Sequence, residues 1–135
     1  LCEEMYIYNS IGITNKDIIW IEANNELVIA AKNKNIINVY NAVITDIDDE
    51  LIIFNKADDT SSSSILSMLE HKNAYPNISY IEECKNKSIT IDTFIAFHNL
   101  NEKMYDFMNI AIQGAELLAL KGAIKFIKNV KIIYN

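Results

Sequence analysis

Glycine and proline are scarce: Gly12, Gly114, Gly122 and Pro76 are the whole complement in 135 residues. Three glycines leave few points where a backbone can swing into left-handed conformations or come close to a bound ligand, and no glycine-rich cofactor loop fits within them. Arginine is absent. All twelve basic residues are lysine, against eighteen acids and a formal charge of −6, which excludes the clustered basic track that nucleic-acid phosphates require. Cys2 and Cys84 have no paired spacing, so neither a zinc site nor a disulfide framework is indicated, and reduced thiols in a cytoplasm-like compartment are the expectation. His71 and His98 stand at no metal-ligand spacing from each other or from a cysteine or acid, so no metal is expected. No apolar run approaches the roughly 18 residues of a membrane span. Residues 1–4, Leu-Cys-Glu-Glu, have neither the basic start nor the apolar core of a signal peptide.

What remains is half apolar and long enough for one domain with a core, so a soluble globular chain is expected. Isoleucine fills roughly one position in five and asparagine is also abundant, without repeats, which reflects coding bias and not function. The chain does not begin with Met, and residues 130–134 form an apolar β-branched run with no turn after it. Both ends suggest a piece of a longer polypeptide, with a strand left open to pair with the parent chain or a neighbouring subunit.

The pattern along the chain alternates. Residues 17–23 contain Ile18-Ile19-Trp20-Ile21, a strand buried on both faces, which ends in Glu22. Asn24 or Asn25 then caps a helix to about Lys32. Residues 37–45 form the next strand, 46–50 an acidic turn, and 51–55 a short strand that pairs back as a hairpin. A polar loop follows over 56–64, then a mixed segment at 65–69 and a break at Pro76. Extended runs are expected at 80–84 and 88–91, and a helix capped by Asp92 or Thr93 runs to about Asn99, with Phe94, Ile95, Phe97 and His98 near one side. Residues 105–112 form a strand that enters a glycine turn and then a helix. Leu117, Leu120, Ile124 and Ile127 would face the sheet from that helix. Alternating helices and strands indicate an α/β layer around a mostly parallel sheet.

In open α/β sheets ligands bind outside the carboxyl ends of the strands, which directs attention to residues 113–116 and to Glu22. An acid ending the second strand is the residue that hydrogen-bonds a ribose, roughly twenty residues after the glycine turn. Counting back from Glu22 reaches the start of the chain, so the first strand and its glycine turn should lie upstream. Glu116 also has a structural role open to it, because a carboxylate in the first turn of a helix is favourable. Gln113 either hydrogen-bonds an acceptor or satisfies the turn. The acids Asp46, Asp48, Asp49 and Glu50 lack the glycine and distal Glu of a calcium loop and read as a solvated turn. Ser61 to Ser64 have no nucleophile elbow around them, which excludes serine hydrolase chemistry.

The order of these segments resembles the FkbM-type methyltransferases. Residues 106–123, Asp-Phe-Met-Asn-Ile-Ala-Ile-Gln-Gly-Ala-Glu-Leu-Leu-Ala-Leu-Lys-Gly-Ala, are similar to that family's Lys-Ile-Asp-Val-Gln-Gly-Ala-Glu and Leu-Lys-Gly-Ala. Ile-Ile-Trp-Ile-Glu-Ala-Asn at 18–24, Asn-Ala-Val-Ile-Thr-Asp at 41–46, Ser-Ser-Ser-Ile-Leu at 62–66 and Thr-Ile-Asp-Thr-Phe at 90–94 look like further family segments in the same order. Asn109 and Ala111 depart from the pattern, where the family usually has Lys and Asp. The resemblance implies a Rossmann-like class I methyltransferase sheet, here without its first strand and glycine turn, so that residues 1–135 form a partial domain. It implies S-adenosylmethionine as cofactor, held by Glu22, Asp46 and Gly114, with Gln113 and Glu116 as catalytic candidates. The acceptor would be a sugar or other small hydroxyl compound.

Two other functions compete with this one. Asn109 and Ala111 favour a non-catalytic descendant serving a structural or assembly role in a larger protein or particle; a nicotinamide or flavin domain has only the generic sheet behind it. A sheet without its central strand would leave residues 18–21 and 105–112 unpaired on one side, a costly state when buried. Either another segment fills that slot, or the two strands pair directly, or the piece is incomplete.

Overall fold

The computed structural model describes residues 2–57 and 80–135, with side chains up to Ile52 and from Lys85 onward. Ser61 to Ser64, the segment 65–69, His71, Pro76 and the Cys84 side chain lie outside the described residues. Two compact units divide the chain, Leu1–Ala42 and Val43–Asn135.

The first unit contains α1 (Met5–Ser10), β1 (Trp20–Glu22), α2 (Asn25–Asn33) and β2 (Val39–Asn41). β1 and β2 pair in parallel, Glu22 opposite Asn41. α2 starts where the sequence places it, because the buried Asn24 side chain accepts the Glu26 N–H. Val28 and Ala31 of that helix pack on Val39, with Trp20, Ile36 and Cys2 around them. Burial pushes the Cys2 thiol up to about 11, so it stays protonated and unreactive at neutral pH.

The second unit contains β3 (Val43–Ile44), β4 (Leu51–Ala57), β5 (Tyr80–Ile89), α3 (Ile91–Phe97), β6 (Phe107–Asn109), α4 (Glu116–Lys121) and β7 (Ile132–Tyr134). Its strands make one sheet in the order β3-β5-β4 and a separate parallel pair, β6-β7.

Several expectations need correcting. The mostly parallel sheet is, among the described residues, three short sheets; the long ladder within them, β4 on β5, is antiparallel. One cause is local: the strand expected over 37–45 breaks at Ala42, whose N–H donates to the Glu22 carbonyl, so its two halves take different partners. The segment at 51–55 pairs with β5 and not back on its predecessor, and the extended runs expected at 80–84 and 88–91 merge into one strand that ends at Ile89, Thr90 and Ile91 opening α3 instead. Lys56 and Ala57 belong to β4. The strand expected at 105–112 shortens to three residues. Among the described residues β1 has one ladder, with β2, and β6 has one, with β7.

The buried face of α4 also differs from the expected one. Leu117 and Ile124 are 63% and 65% exposed, whereas Ala115, Ala119, Ala123 and Phe126 are buried. Both sets recur at three to four residues, so periodicity alone does not separate them. Backbone proximity does. A Cβ on Gly122 would collide with the Thr45 carbonyl oxygen and press on the Thr90 side chain at 3.2 Å. Only a glycine fits where the end of α4 comes this close; Leu117 turns outward, while Leu120 and Ile127 of the expected face are half-buried.

Thr90 caps α3, two positions before Asp92 and three before Thr93, the expected residues, its hydroxyl accepting the Thr93 N–H. Asp92 serves a different end: its two oxygens accept the N–H groups of Lys125 and Phe126 at 2.8 and 2.9 Å. Gly122→Ala is expected to lower stability by about 1–3 kcal/mol through overpacking against backbone that has no room to move. Urea denaturation of the variant beside wild type measures this, and an unchanged midpoint would contradict the close approach.

Candidate functional site

In the first unit the candidate is Glu22, at the carboxyl end of β1. Its Oε1 accepts the Asn24 N–H at 2.8 Å. Its carbonyl accepts the Asn41 side-chain amide at 2.9 Å and the Ala42 N–H at 3.1 Å. The Asn41 amide also reaches the Ala23 carbonyl at 2.9 Å, so the strand end is braced from two directions. Burial raises the Glu22 pKa above the ordinary carboxylate value, outweighing the Asn24 N–H, which lowers it. A half-desolvated acceptor with a fixed backbone is suited to a pair of hydroxyl donors. Trp20, two residues earlier, has its indole Nε1–H buried without a hydrogen-bond partner among the described residues, and its ring lies 6.2 Å from that of Tyr8.

In the second unit the turn between β6 and α4 brings three candidates together. Gln113 has φ +54° and Gly114 φ +93°, two successive left-handed residues, of which only the glycine is relaxed. Glu116 Oε1 accepts the N–H of Ile112 at 3.2 Å and that of Gly114 at 3.1 Å. The carboxylate thus folds back over the turn that precedes it. Ile110 and Ala115, on either side, are buried.

Asp46 follows the buried Thr45, which contacts Gly122 at the far end of α4. A six-residue helix about 9 Å long therefore lies between Asp46 and the residue 113–116 turn. The structure does not bring Asp46 into that turn. Among the described residues no hydrogen bond reaches its carboxylate.

Asp48, read from the sequence as one acid of a solvated turn, is the better held acid. It accepts the Thr90 N–H at 2.6 Å, the Thr93 hydroxyl at 2.7 Å and the Thr90 hydroxyl at 3.4 Å. The Thr90 N–H is the main reason its pKa falls below the usual carboxylate range, with the Thr93 hydroxyl next. The Thr-Ile-Asp-Thr segment thus acts as a clasp: its threonines take Asp48 and its aspartate takes residues 125 and 126. A helix-capping threonine within reach of an acidic loop was the legible signal. Asp49 pairs with Lys87 at 2.9 Å, and among the described residues no cluster of His, Cys, Asp and Glu could hold a metal ion. His98 lies against both Phe94, tilted at 52°, and Phe97, edge-on at 87°, with ring centroids 4.5 and 5.0 Å away. Among the described residues no helix is long and apolar enough to cross a membrane.

A family model described as the Methyltransferase FkbM domain matches residues 5–134, nearly the whole chain. No curated protein and no solved structure matches it.

The raised Glu22 pKa has a definite sign. Stability associated with its protonated form is complete below the unfolded value of about 4.5 and is lost as pH rises through the higher folded value. Glu22→Gln, which keeps an acceptor and removes the charge, is expected to be more stable than wild type at pH 7, with the gap closing below pH 4.5. Urea midpoints of both proteins at the two pH values test this; equal midpoints at pH 7 would refute it.

Proposed function

Because the chain belongs to the FkbM methyltransferase family, we propose that it binds S-adenosylmethionine and transfers the methyl group to the oxygen of a small hydroxyl acceptor, such as a sugar. The observation that carries this reading is Glu22: a braced, partly desolvated carboxylate at the carboxyl end of a strand, where a ribose-binding acid belongs. We read residues 1–135 as belonging to a methyltransferase-like domain of the class I fold.

Bound S-adenosylmethionine supplies a methyl group on a sulfonium that is already an excellent leaving group. The chain's own residues therefore have to hold, align and accept a proton rather than activate a poor electrophile. Glu22 accepts hydrogen bonds from the two ribose hydroxyls; its raised pKa is the cost of keeping that acceptor out of water. Gly114, without a Cβ, lets backbone come close to a ligand, and the Gln113 carboxamide offers both a donor and an acceptor. Asp46 is a second carboxylate at a strand end. Ala111 carries no acid at the position where the family usually has Asp, so the acceptor's proton passes to another base or to water.

Isothermal titration of S-adenosylmethionine and S-adenosylhomocysteine into the full-length protein tests the reading. Micromolar binding is expected, weakened at least tenfold by Glu22→Ala. Absence of heat at millimolar ligand would retire the methyltransferase activity and leave a non-catalytic member of the family.

A further inference from the structure

All eighteen acids of the chain lie before Leu117, and residues 117–135 hold four lysines and no acid. Residues 1–116 therefore carry a formal charge of −10 (8 − 18), and residues 117–135 carry +4. Helix-like winding continues from α4 into a short 3₁₀ helix, Phe126–Lys128. The N–H groups of Gly122, Ala123 and Ile127 donate to carbonyls three or four residues back, and Asp92 takes those of Lys125 and Phe126. Ala115, Ala119, Ala123 and Phe126 form the buried face of this coil. Leu117, Lys121, Ile124 and Lys128 recur at the same spacing on the opposite face, with Lys125 beside Ile124, and all five are exposed. Lys131 pairs with Asp106 at 2.8 Å, whereas among the described residues no ion pair holds Lys121, Lys125 or Lys128. We propose that this stripe docks the protein on a bilayer surface rich in anionic lipid. The inference goes beyond the methyltransferase reading and does not depend on it.

Charge makes an anionic partner complementary, and the two aliphatic side chains decide which one. A lipid headgroup layer places phosphates directly above hydrocarbon. Leu117 and Ile124 can enter that apolar zone while the lysine ammonium groups stay at the phosphates on their long apolar stems. Nucleic acid offers phosphates with no hydrocarbon beneath them, and single strands are gripped by aromatic stacking, for which this stripe has no ring. Protein interfaces are depleted in lysine and enriched in arginine, and the chain has no arginine. The acids that contact this segment do not oppose docking, because the oxygens of Asp92 and Glu116 Oε1 are turned onto backbone N–H groups. Charges farther than about 8 Å from the lipid are largely screened at physiological salt, so the stripe itself sets the attraction.

The experiment is sedimentation of the full-length protein with phosphatidylcholine vesicles containing about one third phosphatidylserine, and with pure phosphatidylcholine vesicles, at about 0.15 M salt. Wild type is expected to bind the anionic vesicles at least about tenfold more tightly than the neutral ones. Lys121→Gln, Lys125→Gln and Lys128→Gln in one protein should lower that affinity about a hundredfold, roughly fivefold per lysine. Leu117→Ser with Ile124→Ser should lower it about tenfold through lost apolar contact. Lys16→Gln, Lys32→Gln and Lys34→Gln make the same charge change at exposed positions of the first unit and should leave the affinity within about twofold of wild type. Equal binding to both kinds of vesicle, binding to neither, or equal losses from the two lysine triples would overturn the proposal. So would an unchanged affinity in the Leu117 and Ile124 variant, because a stripe that reads charge alone would serve any polyanion.

Discussion

Asp92 ties the first turn of α3 to the segment that follows α4, and the larger unit depends on that tie. Short helices leave most of their N–H groups without an internal partner, and this chain answers with carboxylates. Asp92 takes two such groups, Asp48 takes the Thr90 N–H, and Glu116 takes two from the turn ahead of it. A surplus of acids over lysines is thus partly structural. The same acids that set the net charge supply the anchors of the fold. In the smaller unit Glu22 does the same for Asn24, with the difference that its carboxylate is also substantially desolvated.

How much of this was legible depends on how local each feature is. β1 ending at Glu22 and α2 capped by Asn24 follow from adjacent residues, and the sequence specified them closely. The turn at Gln113 and Gly114 was legible from its glycine. The pairing of strands was not, because it depends on residues tens of positions apart: nothing around Leu51 reveals that its partner is Lys87. The buried face of α4 was misread for a related reason. Leucine is the better core residue in general, but the carbonyl of Thr45 stands too close to Gly122 to admit one. Distance to a remote segment, and not hydrophobicity, decides that position.

The candidate site residues divide along the same line. Glu22, Gln113, Gly114 and Glu116 sit where the strand ends and the turn put them. Asp46 was chosen for its position after a strand and stands apart from the turn, while its neighbour Asp48 holds a helix. Neighbouring acids in one loop thus have separate tasks, which composition cannot distinguish. Family membership explains why the Thr-Ile-Asp-Thr segment looks like a signature; the hydrogen bonds explain what it does here, which is to hold elements together.

The meeting of Gly122 with Thr45 also bears on how the chain is made. These residues are 77 positions apart (122 − 45), and at the usual pace of protein synthesis roughly 4–15 s pass between their appearance. For about the first half of that interval β3 lacks its β5 neighbour, and throughout it Thr45 lacks the close approach of Gly122. The β3-β5-β4 sheet can therefore form before α4 is made, and the meeting of Gly122 with Thr45 comes after it.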